Sequence, residues 1–290
     1  MSNVSTTPIP SPNSTPTPRP NALSSFILVA IRLIRLSFLF LFFPPCYHWN
    51  RFFSKGDLDF RKRSIKCTTF FAKYAAKVLN LDIQTENLNR LINLQENYLL
   101  VSNHLSYLDI VVISTQYSSA FVTSVEMENT PVLGAFCKAG GSFFVERRDK
   151  FKLRKEIDSI SGALRQGLPV LIFPEGTSSN GVKMLPFRHA LFKTAMKAQR
   201  GIIPLCIRYT SIDGAPIDQS NRDDIYWYGD MTFAPHFFKL LTIKKIQVHL
   251  SVLEPISYEE ECHRKHLSHF VHDAIEEKYT SFMGSESAKF

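Results

Sequence analysis

A histidine and an aspartate stand five positions apart in residues 103–109 (NHLSYLD). If a helix begins near Ser106, the Asp109 carboxylate can fold back toward the His104 imidazole. A carboxylate on one ring nitrogen fixes the tautomer and leaves the other nitrogen free as a general base. Such a base can deprotonate an alcohol directly, without a covalent enzyme intermediate. The pair therefore predicts proton abstraction from a hydroxyl, and a capping histidine beside a structural aspartate is the alternative.

An arginine ends the segment 141–147 (GSFFVER), in which a glycine turn leads into a short apolar run. The run predicts a short strand with Arg147 at its end. A guanidinium held in this way is suited to bidentate binding of a phosphate or a carboxylate. The alternative is a solvated arginine.

A third segment, residues 173–178 (FPEGTS), directly follows an apolar run. In α/β proteins, ligands bind at the ends of such strands. Gly176 permits close backbone approach, and Thr177 and Ser178 offer hydroxyls and amides. A carboxylate would repel a phosphate, so we expect Glu175 to hold the arginine, the histidine or an acceptor hydroxyl. Further on, residues 202–205 (IIPL) predict a strand whose proline shapes a pocket wall.

The elements that must position these residues follow from the hydrophobic pattern. Short apolar runs predict buried strands at 98–102, 120–124, 170–173, 202–207 and 246–253. Helical periodicity is found at 150–166, 187–198 and 258–282. This alternation predicts one α/β domain over 81–282, with a largely parallel or mixed central sheet flanked by helices.

The N-terminal third has a different composition. Residues 1–22 are rich in Ser, Thr and Pro and predict a disordered tail, as do residues 283–290 at the C-terminus. Residues 23–43 are strongly apolar; as a helix they would reach about 31 Å, close to the thickness of a hydrocarbon layer. Pro44 and Pro45 end this helix.

Two arginines interrupt the apolar run. At the centre of a spanning helix, Arg32 and Arg35 would each cost about 2.5–3.5 kcal/mol. They are three positions apart and share one helix face. This pattern predicts a helix lying in the membrane interface, with both arginines toward lipid phosphates. Together with an amphipathic helix at 57–79, residues 23–80 predict a membrane-associated helical hairpin; a hairpin buried against the domain is the alternative.

Composition narrows the choice of partners. Of the 290 residues, Lys and Arg supply 34 and Asp and Glu 26, so the net charge is 34 − 26 = +8. That charge suits an anionic lipid surface or a phosphorylated ligand. No helix-turn-helix or base-stacking pattern accompanies it, so we expect no nucleic-acid partner. The five cysteines form no CxxC pair. Four histidines recur every third position at 263, 266, 269 and 272, which indicates a solvated helix face and no metal site.

The four motifs occur in the order and approximate spacing of the glycerolipid acyltransferase family, which includes 1-acyl-glycerol-3-phosphate acyltransferases. The chain resembles that family over about residues 100–207 and in its apolar N-terminus. The resemblance implies that His104 is the general base and Asp109 its orienting partner. It also implies that Arg147, helped by the region of Gly176 and Thr177, binds the phosphate of the acceptor, and that the FPEGTS glutamate organises the acceptor site.

Two positions depart from the family pattern. Many members have arginine where this chain has Ser178, and a glycine where residues 187–190 (FRHA) carry Ala190. Arg188 can compensate for the missing guanidinium. Residues 173–181 (FPEGTSSNG) and 185–192 (LPFRHALF) look like a bacterial subgroup that includes lyso-ornithine lipid acyltransferases. An acceptor without a terminal phosphate is therefore a second possibility.

The resemblance implies O-acyl transfer from a thioester, acyl-CoA or acyl-acyl carrier protein, to the hydroxyl of a lysolipid in phospholipid metabolism. The simplest acceptor is 1-acyl-sn-glycerol-3-phosphate, which would give phosphatidic acid; lyso-ornithine lipid is the alternative. A catalytically inactive membrane-binding module is disfavoured by the intact His104, Asp109 and Glu175. We expect no metal and no bound cofactor. The expected location is the cytoplasmic face of a membrane, the inner membrane if the source is bacterial.

Overall fold

The computed structural model describes residues 22–92, 97–258 and 264–287. The predicted N-terminal tail, apart from Ala22, lies outside the described residues, as do residues 288–290 of the predicted C-terminal tail.

A mixed β-sheet forms the centre of the molecule. Its strands among the described residues are β1 (Leu81–Glu86), β2 (Leu99–Ser102), β3 (Ala120–Ser124), β4 (Phe143–Val145), β5 (Val170–Ile172), β6 (Ile202–Ile212), β7 (Ala215–Pro216) and β8 (Ile246–Val252). Their order is β1-β8-β6-β2-β5-β3-β4, with β7 beside β6. Only β6 pairs antiparallel, with β8 and β7; the remaining described pairs are parallel. The predicted α/β class and mixed sheet are confirmed.

The middle strands were predictable because helices cover both faces of the sheet. Every residue of β2 and β5 is buried, which produces continuous apolar runs in the sequence. β1 was not predicted, because none of its residues is fully buried and it reads LDIQTE. β6 extends to Ile212, beyond the predicted end at 207, and pairs there with β8.

Helices surround this sheet. The described ones are α1 (Ala22–Phe42), α2 (Pro45–Phe52), α3 (Asp57–Leu79), α4 (Asn89–Ile92), α5 (Leu108–Gln116), α6 (Val125–Glu128), α7 (Leu133–Ala139), α8 (Lys150–Arg165), α9 (Lys193–Ala198), α10 (Phe233–Leu240) and α11 (Arg264–Ser287). The predicted helices at 57–79 and 150–166 agree with α3 and α8 within one residue.

Two helix predictions need correction. The helix predicted at 187–198 begins only at Lys193, because the preceding segment turns back and Arg188 N–H donates to the Pro174 carbonyl at 2.8 Å. The last helix continues to Ser287, beyond the predicted end at 282 and into the first residues of the predicted C-terminal tail.

The N-terminal segment comprises three helices packed on the domain, where a hairpin was predicted. Arg32 of α1 is buried, and its guanidinium donates to the carbonyls of Leu79 at 3.1 Å, Leu241 at 3.0 Å and Lys244 at 3.2 Å, and to that of Ile243. The prediction that Arg32 faces lipid phosphates is therefore wrong. The last residue of α3 and the segment that follows α10 leave carbonyls without helical partners, and this guanidinium donates to them.

The opposite side of α1 remains uncovered by protein. Large apolar side chains are exposed along it, among them Leu23, Phe26, Ile34 and Leu41. Arg35 is also exposed. By length and composition, the segment Leu23–Phe52 contains a stretch that could cross a membrane. The inner side of the same helix packs on α3 through residues such as Leu36, so α1 is attached to the domain along one face.

Candidate active site

The predicted His104–Asp109 pair is formed. Asp109 lies in the first turn of α5, and its Oδ2 lies 2.8 Å from His104 Nδ1. The backbone N–H groups of Leu105 and Ser106 donate to the same oxygen at 2.7 and 3.0 Å. Asp109 is completely buried, whereas the His104 side chain is 19% exposed. A carboxylate facing Nδ1 holds the proton there, so Nε2 presents a lone pair.

The imidazole ring is also held from its face. Phe173, directly after β5, stacks on His104 with ring centroids 4.1 Å apart and planes inclined by 17°. The Ser179 N–H donates to the His104 carbonyl at 2.9 Å. The ring thus has a fixed orientation before any substrate binds.

Glu175 supports the same turn from a buried position. Its Oε1 accepts from the His104 backbone N–H at 2.7 Å, and its Oε2 from that of Leu185 at 3.0 Å. Of the two protein partners predicted for Glu175, the structure shows His104, through its main chain, and a contact with an acceptor hydroxyl stays a prediction. Burial raises the pKa of Glu175 to about 7, although both N–H donors oppose this shift.

Two guanidinium groups meet over Gly176. Arg147 Nη1 donates to the Gly176 carbonyl at 2.7 Å. Gly176 has φ of +80°, and a Cβ there would lie 2.9 Å from Arg188 Nε and 3.1 Å from Arg147 Nη1. A side chain at this position would therefore displace both arginines. Burial, and next the charge of Arg188, lower the pKa of Arg147. Two like charges in this proximity form a site that an anion would stabilise.

The next two residues differ in exposure. Thr177 is exposed and lines the cavity described below. Ser178 is buried, and its hydroxyl donates to the Trp227 carbonyl. Ser178 lines the same cavity, but its hydroxyl proton is donated to a carbonyl of the protein. A direct contact between Ser178 and substrate stays a prediction.

A cavity of about 430 Å³ lies beside the imidazole. Its polar lining includes His104, Arg147 and Thr177. The rest is mostly apolar and comes from several helices, with Phe40 of α1, Phe71 and Ala75 of α3, Phe136 of α7 and Phe237 of α10. The volume is in the range of small-molecule sites. Helices predicted to lie on a membrane therefore also build the wall of the site.

The acyltransferase family model matches residues 81–208. The lyso-ornithine lipid O-acyltransferase of Brucella abortus is 30% identical over 257 residues, covering 86% of this chain and 89% of that protein. The chain belongs to the acyltransferase family. The family predicted from the four motifs is thereby confirmed.

Other relatives of this acyltransferase carry two names. The lyso-ornithine lipid O-acyltransferase of Rhizobium meliloti is 32% identical, over 61% of this chain and 63% of that protein. The 1-acyl-sn-glycerol-3-phosphate acyltransferase of Neisseria gonorrhoeae is 28% identical, over 52% of this chain and 56% of that protein. These two matches therefore span somewhat less than two thirds of each relative's length.

The fold has a solved counterpart. The crystal structure of the 1-acyl-sn-glycerophosphate acyltransferase PlsC from Thermotoga maritima matches with a TM-score of 0.65 at 20% identity. The match covers 90% of this chain and 97% of that one. The two proteins therefore share a fold over most of this chain, including the part outside residues 81–208.

Two residues of the acyltransferase site carried no sequence signal. Arg61 of α3, expected on a membrane-facing helix, donates to the carbonyls of Gly141 and Ser142 and lies 3.7 Å from the Phe143 ring centroid. It supports the turn before β4, which leads to the cavity-lining arginine. Tyr209 of β6 donates its hydroxyl to Asp109 Oδ1 at 2.7 Å. Both contacts join segments distant in the chain, which no local pattern reveals.

His269 and His272 of the last helix are not among the residues that line the cavity. His263 lies outside the described residues, and His269 is exposed. His272 is largely covered, with its ring edge-on to Phe187 at 5.0 Å between centroids and its Nδ1 3.2 Å from Asp273. The prediction of a solvated row thus holds for His269 and only partly for His272. The described cysteines are free thiols: Cys46, Cys67, Cys137 and Cys206.

Proposed function

We propose that this acyltransferase moves a fatty acyl group from a thioester onto the hydroxyl of a lysolipid at a membrane surface. The observation that carries the proposal is the imidazole of His104, which is fixed by Asp109 on Nδ1 and lines a mostly apolar cavity. An oriented base beside space for an alkyl chain is what transfer to a lipid alcohol requires.

In the proposed reaction, His104 Nε2 takes the proton of the acceptor hydroxyl as its oxygen attacks the thioester carbonyl carbon. A tetrahedral intermediate forms. The C–S bond then breaks, and His104 returns its proton to the departing thiolate. Asp109 stabilises the imidazolium formed between these steps. Neither the carboxylate nor the imidazole becomes covalently attached to the acyl group.

The anionic headgroup of the acceptor would lie against Arg147 and Arg188. Their guanidinium groups are adjacent over Gly176, and binding an anion relieves their mutual repulsion. A phosphate monoester would satisfy both groups, which favours 1-acyl-sn-glycerol-3-phosphate as acceptor. Phosphatidic acid would be the product.

A lyso-ornithine lipid is the second candidate acceptor. Position 178 is serine where many relatives have arginine, and its hydroxyl is engaged by the Trp227 carbonyl. Fewer cations at the site suit an amino-acid headgroup, which carries an ammonium group as well as a carboxylate. Relatives from Rhizobium meliloti and Brucella abortus bear the corresponding name.

The lipid surface would contact the uncovered side of α1 and the exposed aromatic residues of α2, Trp49 and Phe52. Exposed apolar area of this extent marks an interaction surface. Because Arg32 fixes α1 to the domain, we propose a helix lying in the plane of the membrane, on the cytoplasmic face, where thioester donors are present.

One assay separates the proposals. Purified protein in mixed micelles is given labelled acyl-CoA or acyl-acyl carrier protein with 1-acyl-sn-glycerol-3-phosphate, lyso-ornithine lipid or neutral lysolipid. Product from the first acceptor supports the main proposal, and product from the second alone selects the alternative. Absence of product from every donor and acceptor pair would favour the inactive membrane-binding module.

Protease protection tests the membrane arrangement. In inverted membrane vesicles, the cytoplasmic face is outside, so added protease should remove the N-terminal residues before α1. In intact cells or right-side-out vesicles, the same residues should be shielded. The reverse pattern would contradict the in-plane helix.

A further inference from the structure

Asp109 receives hydrogen bonds on both oxygens, from different parts of the fold. His104, Leu105 and Ser106, all within residues 103–109, donate to Oδ2 or face it. Among the described residues, the donor to Oδ1 is the hydroxyl of Tyr209, at 2.7 Å. Tyr209 is a fully buried residue of β6, 100 positions along the chain. One oxygen of the carboxylate thus serves the imidazole and its turn, and the other is held by the sheet.

Strand β6 holds the segment 103–109 at both ends. At the start, the Asn103 side chain pairs with both backbone groups of Ile207: its Nδ2 donates to the carbonyl at 2.9 Å, and its Oδ1 accepts from the N–H at 2.8 Å. At the end, Tyr209 reaches Asp109. Hydrogen bonds therefore attach the segment 103–109 to β6 at these two points.

We propose that Tyr209 is a positioning residue of the acyl transfer, holding the Asp109 carboxylate so that Oδ2 faces the His104 imidazole. The proposal rests on the proposed function, because it assigns Tyr209 an effect only through the base that performs the transfer.

The bond to Oδ1 has two physical consequences. It fixes rotation of the carboxylate, which the bonds to a single oxygen would leave less constrained. It also withdraws negative charge from the carboxylate, and this limits how tightly Asp109 holds a proton on the imidazole. Burial, with the neighbouring Asp109 charge, raises the pKa of Tyr209 well above its ordinary value. The phenol is therefore protonated and donates throughout the working pH range.

Among the described residues, the titratable groups that interact electrostatically with Asp109 or Tyr209 include His104, Tyr107, Glu175 and Tyr226. The tyrosines stay neutral because burial raises the pKa of each. A change at position 209 that alters the pH dependence of catalysis would thus act on the Asp109–His104 pair, beside which Glu175 is a further carboxyl.

The test compares Tyr209→Phe with Tyr226→Phe in the full-length protein. Tyr226 is a matched control, because it is buried, its ring centroid lies 5.9 Å from that of Tyr209, and its hydroxyl bonds to Tyr279. Loss of a bond to a charged group predicts that Y209F lowers kcat about 10- to 100-fold. KM for both substrates should stay unchanged, and the acidic limb of the pH profile should move to higher pH. Y226F should match the wild type in each respect.

A double-mutant cycle distinguishes positioning from general damage. In an Asp109→Asn background, Tyr209→Phe should cause little further loss, because its effect acts through the carboxylate. Independent, multiplying losses would overturn the proposal. So would a Y209F enzyme whose kcat and pH profile equal those of Y226F.

Replacement of Tyr209 by 3-fluorotyrosine keeps the shape of the side chain and covers the case in which Y209F does not fold. Fluorine makes the phenol a stronger donor, so the acidic limb should move to lower pH; an unchanged profile would overturn the proposal. His104→Ala separates this inference from the proposed function. Activity in H104A would contradict the reaction itself, whereas an inactive H104A with a wild-type-like Y209F contradicts only the role of Tyr209.

Discussion

The α/β domain and the N-terminal helices build the site by different means. In the domain, hydrogen bonds fix the two carboxylates beside His104: Asp109 and Glu175 are buried, and each carboxylate oxygen has a partner. The helices α1 and α3 contribute apolar surface to the cavity and are tied down by two arginines, Arg32 and Arg61. The proposed function therefore places catalytic rate and lipid accommodation in separate regions, which predicts separable mutant phenotypes.

The largest effect should come from removing the base. His104→Ala should lower kcat about 10²- to 10⁴-fold, the usual contribution of general base catalysis. Acceptor and donor KM should change little, because the cavity walls and the arginines remain. Single-turnover assays with labelled donor measure this, with thermal unfolding as a check on the fold. A large change in KM at unchanged kcat would break the division between the regions.

The next effect concerns stability and the buried Glu175. Its pKa is raised from an ordinary 4.5 to about 7, so the native protein binds this proton more tightly than the unfolded chain. The resulting stabilisation is complete below about pH 4.5 and is lost as pH rises through about 7, by about 3 kcal/mol. Unfolding of the wild type and of Glu175→Gln in detergent at pH 5 and pH 7.5 measures it. The variant should lose most of this pH dependence. An equal change in the free energy of unfolding between the two pH values in both proteins would contradict the prediction.

Arg32 and Arg35 form a matched pair on α1. Arg32→Met removes the donors to four carbonyls and should lower the free energy of unfolding by about 1.5–3 kcal/mol. Arg35→Met should be nearly neutral, since that side chain is exposed. Denaturant unfolding in micelles compares them. Equal losses would mean that α1 is not docked through Arg32.

The smallest effect should be on acceptor affinity. Arg147→Ala should raise the KM for an anionic lysolipid about tenfold and leave kcat within a few-fold. Its neighbour Arg148 is a control, because its side chain is 85% exposed and interacts with Glu126 at 3.5 Å. Arg148→Ala should leave the KM unchanged. If both variants behave alike, surface charge and not the site at Gly176 attracts the acceptor.

The geometry of the candidate site in the domain could be predicted from sequence because many of its contacts are local. His104, Leu105, Ser106 and Asp109 interact within five positions, so the spacing itself contains the geometry. The buried strands were predictable for a related reason, since complete burial leaves continuous apolar runs.

The remaining features depend on contacts between distant segments. Arg32 and the Leu241 carbonyl are 209 positions apart, and Arg61 and Ser142 are 81 apart. In sequence, both arginines look like the charged face of a membrane helix. Only the folded structure shows that their guanidinium groups donate hydrogen bonds to backbone carbonyls inside the protein. The polar edge strand β1 was missed for a similar reason. Its place in the sheet depends on its hydrogen bonding to β8, a distant segment, and its own composition is not typical of a buried strand.

The attachment of α1 through Arg32 fixes the height of the His104 imidazole relative to the apolar side of α1. Hydrogen bonds from the Arg32 guanidinium to four carbonyls join α1, with its apolar side, to the domain that carries the imidazole of His104. In the proposed arrangement that side is immersed among the headgroups, and the depth of immersion would determine how far above the acyl chains the proposed base operates. A lysolipid would then need to rise only by that constant distance to react, and bilayer thickness would not alter it.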